Sequence, residues 1–389
     1  MGDHGAMSER LLGWDGFYNA LVCGAGISGL TAGIYLTRLG WDVTVFEKDP
    51  ELRTAGAGLN LWPNGMRVLE KIGLRSPLST IAASLDYYRT FSSTGDVIAV
   101  EDVRDWREKY GAPLCGVYRR DLSRILVEAL GSEKLRVGHQ LVSVEQGDDV
   151  VCTFANGEQV RGDFVMGADG IGSIVRSSVF GEREFSTDAL VRWRGLFNLA
   201  DVDVDPLSEA EVWGPDGHLG YLPIGGGRAY WFAAAEGITR DPEAIIEHFS
   251  GWRGSPVPGL IAATDKSTII RSDLHDFVHP LDNWSKGRIT LAGDAAHPML
   301  PGMAQGANQA LEDVDALCTS LDAHDDIADA LKAYERTRIP QVAPIVRGSR
   351  SLFDFDDQNK LVHGDKNPLF DRYERFVERR STPGETSAA

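Results

Sequence analysis

The stretch "YNALVCGAGISGLTAGIYLTRLGWDVTVFEK", residues 18–48, sets two apolar runs around a turn containing Gly24, Gly26 and Gly29. The first run predicts a strand ending near Cys23, and the glycines lead into a helix through about Arg38. That is G-x-G-x-x-G in strand–turn–helix context. The first glycine permits the tight turn, the second lets backbone approach a pyrophosphate, and the third lets helix and strand pack closely. Phosphate would sit on the helix N-terminus, where unpaired N–H groups and the dipole favour an anion, with Ser28 in the first turn. A second apolar run, "WDVTVF", ends at Glu47, 18 residues past Gly29. A carboxylate is expected about 20 residues on, accepting from a ribose hydroxyl. Glu47, with Lys48 beside it, fits that role. The element specifies an adenine dinucleotide without separating NAD from FAD.

Three later segments separate them. "GDFVMGADGIGSIVR" is an apolar strand running into Asp169 and Gly170, then a turn and a helix start. "GRITLAGDAAHPMLPGMAQGANQALEDVDAL" is another apolar strand into Gly293 and Asp294, then a loop, then a helix from about Gly306. The third is "ELRTAGAGLNLWPNGMRVLEKIGL", residues 51–74. With the glycine fingerprint, these segments occur in the order found in the single-component (class A) flavoprotein aromatic hydroxylases. The chain resembles that family, which includes salicylate, 6-hydroxynicotinate and urate hydroxylases, from about residue 20 to residue 351. The resemblance implies non-covalent FAD, with NAD(P)H as a transient co-substrate. No second glycine fingerprint follows another strand: "PIGGGRAYWF" lies between two strand-like runs and reads as a hairpin turn.

A carboxylate at a strand end suits the hydroxyls of a flavin's polyol chain, which makes Asp294 the natural ribityl partner. The helix beginning at Gly306, with the N–H groups of Ala307 and Asn308, would direct positive partial charge at the flavin edge that becomes anionic on reduction. Pro301 to Met303 would line the reacting face. Arg119, before a helix with Asp121 as its expected cap, matches the arginine that the family places near the FAD diphosphate. Arg53, Gly58 and Leu59 are further FAD candidates. Asp169 carries two readings: a contact to FAD or incoming NAD(P)H, or a structural tie between loops.

Segments 81–114 and 181–280 lack the helix–strand alternation of the nucleotide parts. The runs "YYRTFSS", "VRWRGLFNLA", "HLGYLPI" and "AYWFAAA" predict a mostly antiparallel sheet, which the resemblance places over the flavin ring. Trp193, Tyr221, Tyr230 and Trp231 would suit a flat substrate ring, or would form core. Hydroxylating an electron-rich ring needs a group that takes a proton from a ring hydroxyl, and His218, Tyr221 and Tyr230 are the candidates. His218 and Tyr221 stand three apart on one run, so only one faces the substrate unless Gly220 bulges. Urate-hydroxylase-like members carry arginine where this chain has His218, which argues against urate. Arg194 would either meet a substrate carboxylate or pair on a strand edge. His297 reads as structural, and His275 and His279 as surface residues.

Composition bounds the rest. A chain of 389 residues, 43% hydrophobic, buries a large core, and its net charge of −18 argues against a nucleic-acid surface. The four cysteines, Cys23, Cys115, Cys152 and Cys318, form no C-x-x-C pair; neither a zinc site nor a disulfide framework is expected, and a cytoplasmic setting fits. No window has the length and apolarity of a membrane helix. The expected fold class is α/β: a Rossmann-type FAD-binding domain (17–80, 115–180 and 281–330) interleaved with a sheet-built substrate domain (81–114 and 181–280), then C-terminal helices over 331–380. Residues 1–16 and 381–389 are expected to be disordered. The expected activity is FAD-dependent, NAD(P)H- and O2-consuming hydroxylation of a small aromatic or N-heteroaromatic compound through a flavin hydroperoxide. The alternatives are an epoxidase or tailoring oxygenase of the same fold acting on a larger polyketide or terpenoid, and a non-catalytic flavin-binding regulator. Oligomeric state is left open.

Overall fold

The computed structural model describes residues 18–52, 57–186, 190–238 and 240–351. Arg53 and the two terminal segments lie outside them. The glycine fingerprint opens a six-stranded sheet in the order Ser285–Lys286, Ile289–Leu291, Phe164–Gly167, Asn19–Cys23, Asp42–Phe46, Leu135–Arg136. Apart from the short 285–286 pairing, the neighbours run parallel. Such a sheet is covered on both faces, and its central strands are accordingly near-continuous apolar runs: Ala20 to Cys23 and Phe164 to Gly167 are all buried. The helix Ile27–Arg38 packs on this sheet, Gly306–Ala323 packs on that helix, and Ile327–Ser351 packs on the latter. The C-terminal helix therefore begins four residues before the expected boundary.

A second sheet has seven strands, in the order Ile270–Asp273, Val191–Asn198, Arg228–Ala235, Gly217–Pro223, Ser208–Gly214, Tyr87–Ser92, Val97–Asp102. It is antiparallel except where Ser208–Gly214 pairs in parallel with Tyr87–Ser92. The glycine run 225–227 is a hairpin turn, with all three residues at positive φ. Segment 181–280 also contains two helices that the sequence pattern had not suggested, Pro242–Ser250 and Val257–Ala262. They place Ile245, Phe249, Val257 and Leu260 against one face of this sheet, where Ala210, Val212, Leu219 and Trp231 form its apolar core.

Strand alternation fixes what the other face shows. No register shift interrupts the pairing of Gly217–Pro223 with either neighbour, so Gly220 does not bulge and His218 and Tyr221 point to opposite sides. Tyr221 lies in the apolar core beside Phe197, with Trp193 and Trp231 on the same side; Trp231 donates to Thr264 Oγ1 at 2.8 Å. These three residues are therefore core, and Tyr230 is the aromatic of the four that faces the cavity.

Candidate active site

Between the two sheets lies a cavity of about 380 Å³. Its first wall is backbone. Gly24 has φ +106°, and a Cβ there would meet the Ala168 carbonyl oxygen at 2.3 Å; a Cβ on Gly29 would come within 1.9 Å of the Gly24 oxygen. Gly26 differs from both: a Cβ there would meet nothing within 4 Å, because the residue faces the cavity. Ser28 follows on the cavity wall, and its buried hydroxyl has no hydrogen-bond partner. Glu47 accepts from the Ala25 N–H at 2.9 Å, bracing the turn, and Lys48 is exposed beside it.

The "GADG" and "GDAAH" segments complete this wall. Asp169 Oδ2 accepts from the N–H groups of Ile174 at 2.7 Å and Val175 at 3.2 Å, so it holds the start of the helix Ile174–Phe180 while Ala168 and Gly170 face the cavity. Burial raises its pKa. Asp294 projects into the cavity, where desolvation by the surrounding walls raises its pKa against the opposing influence of His297 and Arg119. Behind it, Asp313 accepts from Gly293 N–H at 2.9 Å and faces His297 Nε2 at 2.6 Å and Arg338 Nε at 2.8 Å. Burial raises the pKa of Asp313, but His297, the Arg338 guanidinium and the hydrogen bonds more than reverse the effect and leave it ionised. His297 is thus part of the clamp that fixes the loop.

The loop continues through Pro301 and Gly302, both on the cavity wall, to Ala304, the only described non-glycine residue with positive φ (49°). A left-handed alanine is uncommon, and it is held here by the Asn308 side chain, which donates to its carbonyl at 3.0 Å. Asn308 also donates to the Asn60 carbonyl and accepts from the Trp62 N–H, tying the strand Gly58–Leu61 to the helix. Gly306 and Ala307 open that helix toward the cavity. Met303, expected on the reacting face, is buried in the core instead. Arg119 lies on the wall as the first residue of its helix; Tyr118 occupies the cap position, and Asp121 pairs with Arg228 at 2.6 Å.

The second wall is the sheet. Alternate residues of Ser208–Gly214 present Glu209, Glu211 and Trp213, and other strands of the sheet add His218, Tyr230, Phe232, Arg192 and Arg194. Arg192 is buried, and burial, assisted by Arg194, pushes its pKa down to about 10. It donates to His218 Nδ1 at 3.0 Å, while His218 Nε2 stands 3.3 Å from Glu211 Oε2. Both imidazole nitrogens therefore face protein groups, and burial lowers the histidine's pKa. Arg194 donates to Ser272 Oγ at 2.7 Å and has no carboxylate partner among the described residues. Desolvation lowers its pKa too. Burial raises the Tyr230 phenol well above its ordinary value.

A nucleotide wall with Gly26 open to the cavity, an unpartnered Ser28 hydroxyl, an acid at Asp294 and a helix N-terminus at Gly306 fits FAD. The FAD binding domain family matches residues 18–349 of this chain. The chain belongs to the class A flavoprotein aromatic hydroxylases. It is 37% identical over 345 residues to the 3-amino-4-hydroxybenzoate 2-monooxygenase of Streptomyces cremeus, covering 85% of this chain and 86% of that protein. It is 34% identical over 337 residues to the aurachin C monooxygenase/isomerase of Stigmatella aurantiaca, covering 85% and 87%. Among solved structures, Klebsiella pneumoniae HpxO with FAD and uric acid is 28% identical with a TM-score of 0.80, covering 96% of this chain and 95% of that one. This flavoprotein is therefore an FAD-dependent monooxygenase.

The glycine motif and the "GDAAH" segment, singled out from sequence, lie together on one wall of the cavity. Arg192, Glu209, Glu211 and Asn60 were missed. A signal existed: in "SEAEVWG" acids alternate with small or apolar residues, the period-2 pattern of a strand with a polar face.

Proposed function

We propose that this FAD-dependent monooxygenase uses reduced nicotinamide and O2 to hydroxylate a small aromatic acid, whose carboxylate is held by Arg194. The observation that carries this reading is a half-buried guanidinium on the cavity wall that has one hydroxyl partner and no acid among the described residues. A desolvated cation left in that state is matched by a bidentate anion from the ligand. The relative named for 3-amino-4-hydroxybenzoate supports the substrate class.

Bound FAD supplies the reducing equivalents and the activated oxygen; the protein's residues bind, orient and exclude water. Gly24, Gly26, Ser28 and Gly29 would hold the pyrophosphate, Glu47 the adenosine ribose, Asp294 the ribityl chain, and Gly306 and Ala307 the ring edge, with Arg119, Gly58 and Leu59 along its length. Pro301 and Gly302 face the reacting side. Tyr230 and Phe232 enclose the ring, and a dry site keeps reducing equivalents from being lost to peroxide. The reduced nicotinamide would bind transiently, since one glycine fingerprint serves the FAD.

The test is oxygen and NADH or NADPH consumption by the yellow protein against hydroxybenzoates, aminohydroxybenzoates, hydroxypyridinecarboxylates and purines, with peroxide counted alongside. An aromatic acid that accelerates nicotinamide oxidation with little peroxide, while its carboxamide does not, is the expected result. Turnover restricted to neutral or much larger compounds would reject the reading. It would instead favour a tailoring oxygenation of the kind suggested by the aurachin C relative.

A further inference from the structure

Two carboxylates stand on one strand of the substrate wall, Glu209 and Glu211, and their surroundings set them apart. Glu211 faces His218 Nε2 at 3.3 Å and accepts from the Trp213 indole N–H at 3.1 Å. Burial raises its pKa, but His218, Tyr88 and Arg192 more than reverse this and hold it below the ordinary carboxylate range. Glu209 is 1% exposed. Its Oε1 accepts from Asn60 Nδ2 at 2.7 Å, and its Oε2 has no hydrogen-bond partner. Asn60 is fixed in turn, because its backbone carbonyl accepts from Asn308 Nδ2 at 3.0 Å. One oxygen is clamped and the other is buried without a partner, on a side chain that lines the cavity.

The other candidates for proton transfer are engaged or misplaced. Both nitrogens of His218 face Arg192 and Glu211, Tyr221 lies on the far side of the sheet, and Tyr230 is held protonated by burial. We propose that Glu209 is the catalytic base, its unpartnered Oε2 taking the proton from the ring hydroxyl of the substrate. The inference rests on the aromatic-acid reading above. In this step the substrate O–H bond breaks and the proton passes to Oε2. The electron pair stays on the ring oxygen, where it raises the nucleophilicity of the adjacent ring carbon. The proton returns to that oxygen when the hydroxylated ring regains aromaticity, so the base is restored without any oxidant of its own.

Electrostatics agree with the geometry. Burial first, then the neighbouring Glu211, push Glu209 up to about 8 against the Asn60 hydrogen bond, and a base works best with a pKa near the operating pH. The other titratable or charged groups lining the cavity with it are Glu211 on its own strand, Tyr88 and His218 on the two neighbouring strands, Tyr230, Arg192 and Arg194 on strands further along the sheet, and Asp294 and Arg119 on the opposite wall. Glu211 and His218 are shifted downward, and Tyr230 upward, away from that window.

The test compares holoenzyme and Glu209→Gln with two probes, 3-amino-4-hydroxybenzoate and 3-aminobenzoate, which lacks the hydroxyl. Binding is read from perturbation of the flavin absorption band, and turnover from kcat/KM across the neutral and alkaline range. In the wild type, kcat/KM is expected to rise with pH to a plateau, with a midpoint near the 8 of Glu209. Glu209→Gln is expected to lose about 100-fold in kcat and to lose that limb, with Kd for both acids changed less than about threefold. Glu209→Asp, which keeps an acid one methylene shorter, is expected to retain the limb at a reduced rate, and it serves as the test if the glutamine variant does not fold. Retention of the limb in Glu209→Gln, as Asp294 would produce, overturns the assignment; so does an equal loss of binding for both probes. Absence of any flavin perturbation by either acid overturns the aromatic-acid reading and the base assignment together.

Discussion

The two walls of the cavity are built from different materials. The cofactor wall is mostly backbone: Gly24, Gly26 and Gly29, the loop from Gly293, and the start of the helix at Gly306. The substrate wall is almost entirely side chain, with arginines, acids, a histidine and aromatics standing on regular strands. A wall made of backbone accepts one ligand shape, and changes to it act through sterics. A wall made of buried charges accepts whichever ligand completes them, and changes to it act through desolvation and pairing.

The largest expected effect lies on the cofactor wall and splits two glycines of one motif. Gly29→Ala places a Cβ against the Gly24 oxygen, so it is expected to cost about 3 kcal/mol or more of stability and to yield little folded protein. Gly26→Ala meets no protein atom and is expected to leave the apoprotein's thermal midpoint unchanged while weakening FAD at least tenfold, about 1.4 kcal/mol. Calorimetry with and without FAD checks both, and equal behaviour of the two variants would erase the division of roles.

The next effect is on the substrate wall. Arg194→Ala removes a charge-assisted pair of about 1.5–3 kcal/mol and is expected to weaken an aromatic acid roughly 10- to 150-fold, leaving its carboxamide unaffected. Equal loss for acid and amide would mean that the guanidinium serves packing alone.

Smaller still is the thermal consequence of Glu209. Its pKa rises on folding from the ordinary 4.5 to about 8, so at higher pH the unfolded chain ionises while the folded one resists. Stability is thereby lost as pH climbs between those two values. Glu209→Gln is expected to change the thermal midpoint little at pH 5 and to raise it by several degrees at pH 8 to 9, at roughly 2–4 °C per kcal/mol. A uniform shift at both pH values would place the effect in packing. The smallest effect belongs to the far side of the same sheet, where Tyr221→Phe is expected to stay within about 0.5 kcal/mol with unchanged kcat.

These contrasts also explain what could be read in advance. The backbone wall was legible because a glycine at a fixed spacing is a statement about local backbone: Gly24 must turn, and Gly29 must lie against Gly24, whatever the rest of the chain does. The loops after Phe164–Gly167 and Ile289–Leu291 were legible for the same reason. The strands of the substrate wall were named, but which of their side chains faced the cavity was left open, for His218 and Tyr221 as for Trp193, Tyr230 and Trp231. The strand carrying Glu209 and Glu211 was passed over, although its alternation was present.

The sequence by itself determined the nucleotide-binding architecture, the adenine dinucleotide and the position of the acid at Asp294, because those depend on contacts within short stretches of chain. Tertiary structure alone decided that Asn60 clamps one oxygen of Glu209, that Arg192 bonds His218 Nδ1 while Glu211 stands 3.3 Å from its Nε2, and that Arg194 meets no acid among the described residues. Each of those facts joins residues from different strands. Strand register, which a shift of one residue would invert, sets which of them meet in the low-dielectric space where pairing governs charge.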